Sequence, residues 1–67
     1  MKISLKAARI NAGLNQTAAA HQIGVSVSTL KLWETGKTFP KQPMIEKLCE
    51  VYGVSYDQLN FFAQSLA

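Results

Sequence analysis

The sequence predicts an all-α domain of five short helices, and three observations carry that prediction. Apolar residues recur at spacings of three and four along most of the chain. No segment of useful length alternates like a strand. Gly13, Gly24, Gly36 and Gly53 stand where the periodic runs stop, the place a glycine takes when it ends a helix. At 67 residues the chain has room for one domain, spanning 1–67, and 48% hydrophobic residues suffice for its core. A domain this short buries only roughly 60% of the surface its unfolded chain exposes, which leaves little for a deep catalytic cleft. Size favours a binding module.

The elements follow in order. Ser4 is placed to cap a first helix that carries Leu5, Ala8, Arg9 and Ala12 at helical spacing and stops at Gly13. Asn15 is a good N-cap for a second helix, Gln16 to Ile23, with Ala19, Ala20 and Ile23 inward and Gly24 at its end. After Val25, Ser26 caps a third helix from Val27 to Thr35, with Leu30 and Trp33 on its inner side and Gly36 closing it. Residues 37–42 form a loop punctuated by Pro40. Pro43 suits the first turn of a fourth helix, in which Ile45, Leu48, Cys49 and Tyr52 share a stripe that ends at Gly53. Ser55 and Gln58 make the S-x-x-Q pattern of a capping box, which opens a fifth helix with Leu59 facing in and Phe62 as a second inward candidate.

Composition narrows the function. Cys49 is the only cysteine, so no internal disulfide and no cysteine-based metal site can form, and a reduced cytoplasmic compartment fits. No apolar run approaches the roughly 18 residues of a membrane span, and Lys2, Lys6 and Arg9 break up the start of the chain where a secretory signal would be apolar. The expectation is a cytoplasmic protein without membrane, cofactor or metal. From Met1 to Trp33 there are four basic residues (Lys2, Lys6, Arg9, Lys31) and no acid, whereas Glu34 to Ala67 sets three lysines against four acids. A basic half on a small domain suggests an anionic partner, nucleic acid first. His21 has no Cys or His companion and reads as a solvent-facing residue of the second helix rather than a metal ligand. Thr17 and Ser28 have no acid or histidine arranged around them for nucleophilic catalysis, so no constellation supports an enzyme. Helical spacing assigns Trp33 to the core rather than to a nucleic-acid sugar, and Cys49 to the core rather than to redox sensing.

The informative stretch is Gln16 to Gly36. Two short helices joined by a tight turn cross closely, so small residues are needed at the crossing. Ala20 supplies one, and Gly24 can take the positive φ the turn requires. Ile23, Val25, Leu30 and Trp33 can then lock the pair at a fixed angle. A rigid pair of this kind lets its second member project into a DNA major groove, whose width matches a helix.

Gln16-Thr-Ala-Ala-Ala20, Ile23-Gly-Val-Ser26, Leu30, Trp33-Glu34-Thr-Gly36 and Pro40 closely resemble the Cro/C1-type (Xre-like) helix-turn-helix family of phage repressors and bacterial regulators. Further matches are Arg9 and Gly13-Leu14-Asn15-Gln16 upstream, and Tyr52-Gly53-Val54-Ser55 with Leu59 downstream, so the likeness runs from about Leu5 to Leu59. A bare pattern of twenty residues would be a weak signal, and flanking helices in register make it a strong one. The resemblance implies a compact five-helix lambda-repressor-like DNA-binding domain, its helix-turn-helix unit at about 16–36. It implies a transcriptional regulator, most simply a repressor that acts as a homodimer on an inverted-repeat operator of double-stranded DNA. The setting it implies is the nucleoid of a bacterial or phage-infected cell.

Roles carry over residue by residue. Asn15 and Gln16, at the start of the second helix, are implied phosphate contacts, with Lys37, Thr38 and Lys41 as a second clamp in the loop after the third helix. Val27, Ser28, Lys31 and Leu32 lie on the face that would read bases. Lys31 could donate to guanine O6 and N7, Ser28 could bond several base edges, and Val27 or Leu32 could pack on a thymine methyl. Many family members place glutamine or arginine where this chain has Val27 and Leu32. That departure implies more methyl and shape recognition and fewer bidentate contacts. In phage repressors that resemble this chain, the arginine of the first helix pairs with the glutamate after the recognition helix, which gives Arg9 and Glu34 a structural ion pair in preference to a phosphate contact for Arg9. Adjacent helical positions point about 100° apart, so Phe61 and Phe62 cannot both face one small core. Tyr56, Leu59, Phe61 and Phe62 are therefore the dimer candidates, against the alternative of a helix cap folded back on the core. Two rivals stay open: an antitoxin whose main partner is a toxin protein, and a protein-interaction module that has lost DNA binding. The initial methionine and an end just past the fifth helix fit a short complete regulator, and the DNA-binding part of a longer repressor stays open beside it.

Overall fold

The computed structural model describes residues 2–61. Four α-helices follow one another: α1 (Leu5–Asn11), α2 (Gln16–Ile23), α3 (Val27–Glu34) and α4 (Gln42–Tyr52), and a 3-10 turn covers Tyr56–Gln58. The starts of the first three helices are set by short polar side chains that satisfy one of the amides left free at a helix N-terminus. The Ser4 hydroxyl accepts from the Ala7 amide at 3.0 Å, Asn15 Oδ1 from the Ala18 amide at 2.7 Å, and the Ser26 hydroxyl from the Thr29 amide at 3.1 Å. No side chain caps α4, where Pro43 in the first turn removes one of the free donors instead. The step from α2 to α3 depends on Gly24, at φ +93° and ψ +30°, whose amide closes on the Ala20 carbonyl at 2.8 Å. A Cβ there would meet nothing within 4 Å, so the requirement for glycine is one of backbone conformation and not of space.

The core is drawn from all four α-helices and the residue that follows the 3-10 turn: Leu5 and Ala8 of α1, Ala19, Ala20 and Ile23 of α2, Leu30 and Trp33 of α3, Leu48 and Tyr52 of α4, and Leu59. Val25, Val27, Met44, Cys49 and Val51 are half-buried against it. α2 packs on both α3 and α4, and α1 reaches the same two helices. The small Ala19 and Ala20 let α2 sit in the middle of this arrangement.

The fifth helix expected after Ser55 does not form among the described residues. Its local signal operates, since the Gln58 side chain accepts from the Ser55 amide at 2.8 Å. A competing long-range pairing stops it after one turn. Leu59 is extended (φ −95°, ψ 135°) and bridges Ile3 in parallel, with the Ile3 amide on the Gln58 carbonyl and the Asn60 amide on the Ile3 carbonyl, both at 2.8 Å. A single helical turn carries the cost of nucleation without the gain of propagation, so two backbone hydrogen bonds and the burial of Leu59 prevail. Phe62, the second inward candidate of that helix, lies outside the described residues. Three smaller differences concern helix ends. Ala12, read as part of α1, is its exposed C-cap, α3 stops at Glu34 with Thr35 as its C-cap, and α4 already starts at Gln42, which the sequence places in the preceding loop. Among the described residues no helix is long and apolar enough to cross a membrane.

Candidate nucleic-acid interface

Leu30 and Trp33 turn one side of α3 into the core, so the helical period sends Ser28, Lys31, Leu32 and Thr35 outward, and all four are exposed. Val27, expected among them, is half-buried and packs against the core, which leaves only part of its side chain on the outer face. Trp33 is 6% exposed and belongs to the core.

Beneath this face runs a polar network. Arg9 and Glu34 are buried at 7% and 4% exposure, on helices 25 residues apart in sequence. Arg9 Nε lies 2.7 Å from Glu34 Oε2, and a terminal guanidinium nitrogen donates to Oε1 at 3.4 Å. The other terminal nitrogen donates to the Leu14 carbonyl at 2.9 Å, which ties the α1–α2 turn to the same pair. Gln16 Nε2 donates to Glu34 Oε1 at 3.2 Å. The sequence reading assigned Gln16 to phosphate alone, and here part of its amide is engaged within the protein. The Tyr52 hydroxyl is buried close by without a hydrogen-bond partner among the described residues. Burial and then the charge of Glu34 push its pKa up to about 12, with Arg9 opposing them.

The surface around α3 is basic. A cleft of about 320 Å³ is lined by Lys6, Gln16, Lys31, Glu34 and Thr35. Sequence reasoning left Lys6 and Thr35 out of the site, although Lys6 stands three residues before Arg9 and so shares its side of α1. Asn15 is exposed at the start of α2, where its oxygen caps the helix. Lys37, Thr38 and Lys41 are exposed in the loop after α3. That loop is held to the helix, because the Lys37 and Thr38 amides both donate to the Leu32 carbonyl, at 3.0 and 3.4 Å. Glu46, Glu50 and Asp57 are exposed on α4 and the 3-10 turn, with Lys47 paired to Glu50 at 3.9 Å, while the carboxylate nearest α3, Glu34, is neutralised by Arg9. Lys6 and Lys31 are thus the cations that line the cleft at α3.

Other sequence-stretch candidates fall elsewhere. His21 is exposed on α2, and no cluster of three potential metal ligands exists among the described residues. Cys49 is half-buried against the core, where burial and then Glu46 push its thiol pKa up. Of the dimer candidates, Leu59 is 3% exposed inside the core and is withdrawn from that role, because its surface is already used within one chain. Tyr56 is 59% exposed, with its ring 6.0 Å from that of the half-buried Phe61.

Fold and site together define a helix-turn-helix module, in which α2 and α3 are joined by a glycine-containing turn, braced by α1 and α4, with one face of α3 left open. The helix-turn-helix family model matches residues 5–59. Over 51 residues the chain is 39% identical to the cryptic phage CTXphi transcriptional repressor RstR of Vibrio cholerae, a stretch covering 76% of this chain and 46% of that repressor. The chain thus spans about half the length of the curated relative it matches. No solved structure matches it. The chain belongs to the Cro/C1-type helix-turn-helix family, a family of DNA-binding transcription regulators and not of enzymes.

Proposed function

We propose that this chain binds double-stranded DNA sequence-specifically and regulates transcription, as a repressor of the Cro/C1 type acting as a dimer on an inverted-repeat operator. The observation that carries this reading is the outer face of α3, where Ser28, Lys31 and Leu32 are exposed on a helix whose other side is fixed in the core. The major groove, about 12 Å wide, admits such a helix. Lys31 donates to guanine O6 and N7, Ser28 bonds a base edge, and Leu32 with the outer part of Val27 packs on thymine methyls. Asn15, Gln16, Lys37, Thr38 and Lys41 hold the phosphates on either side and so set the register of α3 without reading sequence. The Gln16 amide retains a second N–H for this while the first bonds Glu34. Arg9 and Glu34 act structurally, fixing α3 against α1. A bound dimer blocks the transcription machinery by occupancy, the simplest mode for a chain without a catalytic constellation, and the RstR relative is itself a transcriptional repressor. Two copies would meet through Tyr56 and Phe61 and engage half-sites about 34 Å apart.

Selection of bound duplexes from a random DNA pool tests the reading, run in parallel with a Ser28→Ala/Lys31→Ala variant. The expected result is an enriched inverted repeat that the variant loses. Binding that is weak, salt-sensitive and without any enriched sequence would overturn it and turn attention to a protein partner.

A further inference from the structure

We propose that the cleft between α1 and α3 seats one phosphate of the DNA backbone, with the Lys6 ammonium as its cation and the second N–H of Gln16 as its neutral donor. The proposal rests on the DNA-binding reading above and adds to it a contact from α1, which that reading leaves with a structural role alone.

Three observations support a phosphate there. First, there is room for one. The cleft of about 320 Å³ is walled by Lys6 of α1, Gln16 of α2, Lys31 and Glu34 of α3, and Thr35 at the end of α3. A water takes roughly 30 Å³, so a phosphate group fits with part of its hydration. Second, the charge in the cleft is unbalanced. The one acid on its wall, Glu34, is already held by Arg9 at 2.7 Å and by Gln16 at 3.2 Å. Among the described residues neither the Lys6 nor the Lys31 ammonium has an ion pair or a hydrogen bond, and no acid precedes Glu34 in the chain. Two unpaired cations on one concave surface draw an anion. Third, the other walls leave the task to Lys6. The Thr35 hydroxyl donates to the Lys31 and Leu32 carbonyls, at 3.0 and 3.2 Å, and so has no proton for a ligand. The Arg9 guanidinium is engaged by Glu34 and the Leu14 carbonyl. Lys31 belongs to the outer face of α3 and is the residue proposed for a guanine edge. The cleft therefore adjoins the face proposed to enter the major groove, whose rims are phosphates, and this makes the backbone the source of the anion.

The test measures binding of Lys6→Gln, Lys6→Arg and Lys47→Gln to a duplex selected by the unaltered protein, across a salt series. Lys47, on α4 and outside the cleft, controls for the loss of a charge as such. The expected outcome for Lys6→Gln is a slope of log K against log salt flatter by about 0.9 per bound chain, which is about eightfold less affinity gained for each tenfold fall in salt. Lys6→Arg and Lys47→Gln keep the original slope. Because a phosphate contact positions without reading sequence, Lys6→Gln selects the same duplex, and because Lys6 is exposed its melting temperature stays within a few degrees. Replacing single phosphates of that duplex by neutral methylphosphonates then locates the partner: one position in each half-site weakens the unaltered protein and leaves Lys6→Gln unaffected. An unchanged slope for Lys6→Gln, or equal flattening by Lys47→Gln, would overturn the proposal. A second arm adds inorganic phosphate without DNA, against chloride at equal ionic strength, and follows the Gln16 side-chain amide by NMR. No saturating shift is expected, and one that Lys6→Gln abolishes would overturn the assignment to DNA in favour of a free anion. If the unaltered protein selects no duplex at all, the DNA-binding reading itself falls, which is a different result from failure at Lys6.

Discussion

Replacing Arg9 by alanine asks how much of this small fold depends on one buried ion pair. The guanidinium makes three hydrogen bonds, two to Glu34 at 2.7 and 3.4 Å and one to the Leu14 carbonyl at 2.9 Å, and both charged side chains are more than nine-tenths buried. Without Arg9 the Glu34 carboxylate keeps only the Gln16 amide, at 3.2 Å. Stranding one partner of a buried pair costs about 3–5 kcal/mol. At about 0.05–0.15 kcal/mol per residue, a chain of this length has roughly 3–10 kcal/mol in all. The substitution therefore removes a large share of the total, and at about 4–8 °C per kcal/mol the melting temperature falls by at least roughly 12 °C. Thermal and urea unfolding followed by circular dichroism measure it. A shift of less than about 5 °C would refute the reasoning, since it would mean that water already reaches the pair.

A companion variant separates charge stranding from lost packing. Arg9→Met/Glu34→Leu removes both charges and fills similar volume, and such exchanges are often neutral or stabilising. It recovers most of the loss, less about 1 kcal/mol for each of Leu14 and Gln16, whose bonds to the pair disappear. The double variant is expected to fold and still bind DNA more weakly, because the polar contacts that orient α3 are gone.

Further predictions concern single groups. Tyr52→Phe removes a buried hydroxyl without a partner among the described residues and raises stability by about 1 kcal/mol in urea unfolding; an equal loss would show that the hydroxyl is bonded. The same residue gives a pH signature. With its pKa raised to about 12 in the folded state, against 10.0 ordinarily, its contribution is fully present below pH 10 and is lost as pH rises towards 12, so unaltered protein weakens over that range relative to Tyr52→Phe. Ser26→Ala removes the cap of α3 and costs about 1 kcal/mol, measured the same way, with a matching loss of helix signal near the melting point. Gly24→Ala forces a side chain to φ +93° and costs about 1–2 kcal/mol although space is available, so a neutral result would mean that the turn relaxes.

What the sequence makes legible here is local. Asn15 and Gly24 bound α2 as read, and Ser4 and Ser26 cap their helices as read, because a cap and its amide lie three residues apart and owe nothing to the rest of the chain. The inward sides of α2 and α3 follow from period alone. The end of the chain behaves otherwise. Ser55 and Gln58 carry a helix-start signal that forms and is then overridden at Leu59 by pairing with Ile3, a partner that no window around residue 59 contains. Leu59 is buried as its inward reading expected, but through this pairing rather than on a helix, and it is no longer available as a dimer contact. Val27 shows the same limit on a smaller scale, since a position that period places at the edge of the outer face is half covered by neighbours the sequence cannot rank.

The polar network carries the strongest link between fold and proposed function. The apolar contacts of α2 combine small Ala19 and Ala20 with the branched Ile23, which set how closely it packs in the core. The ion pair, with a 2.7 Å charge-assisted bond, adds a directional restraint to that packing. Glu34 is the last residue of α3, Gln16 the first of α2, and Arg9 sits in α1 while also holding the carbonyl of Leu14. Three elements are therefore registered through one carboxylate. The residue proposed to offer an N–H to DNA phosphate at the start of α2 is thus joined, through Glu34, to the helix proposed to read the bases. On that proposal, phosphate binding at Gln16 and the angle of α3 are parts of one arrangement, a use for a buried charge pair that is weak as a source of stability.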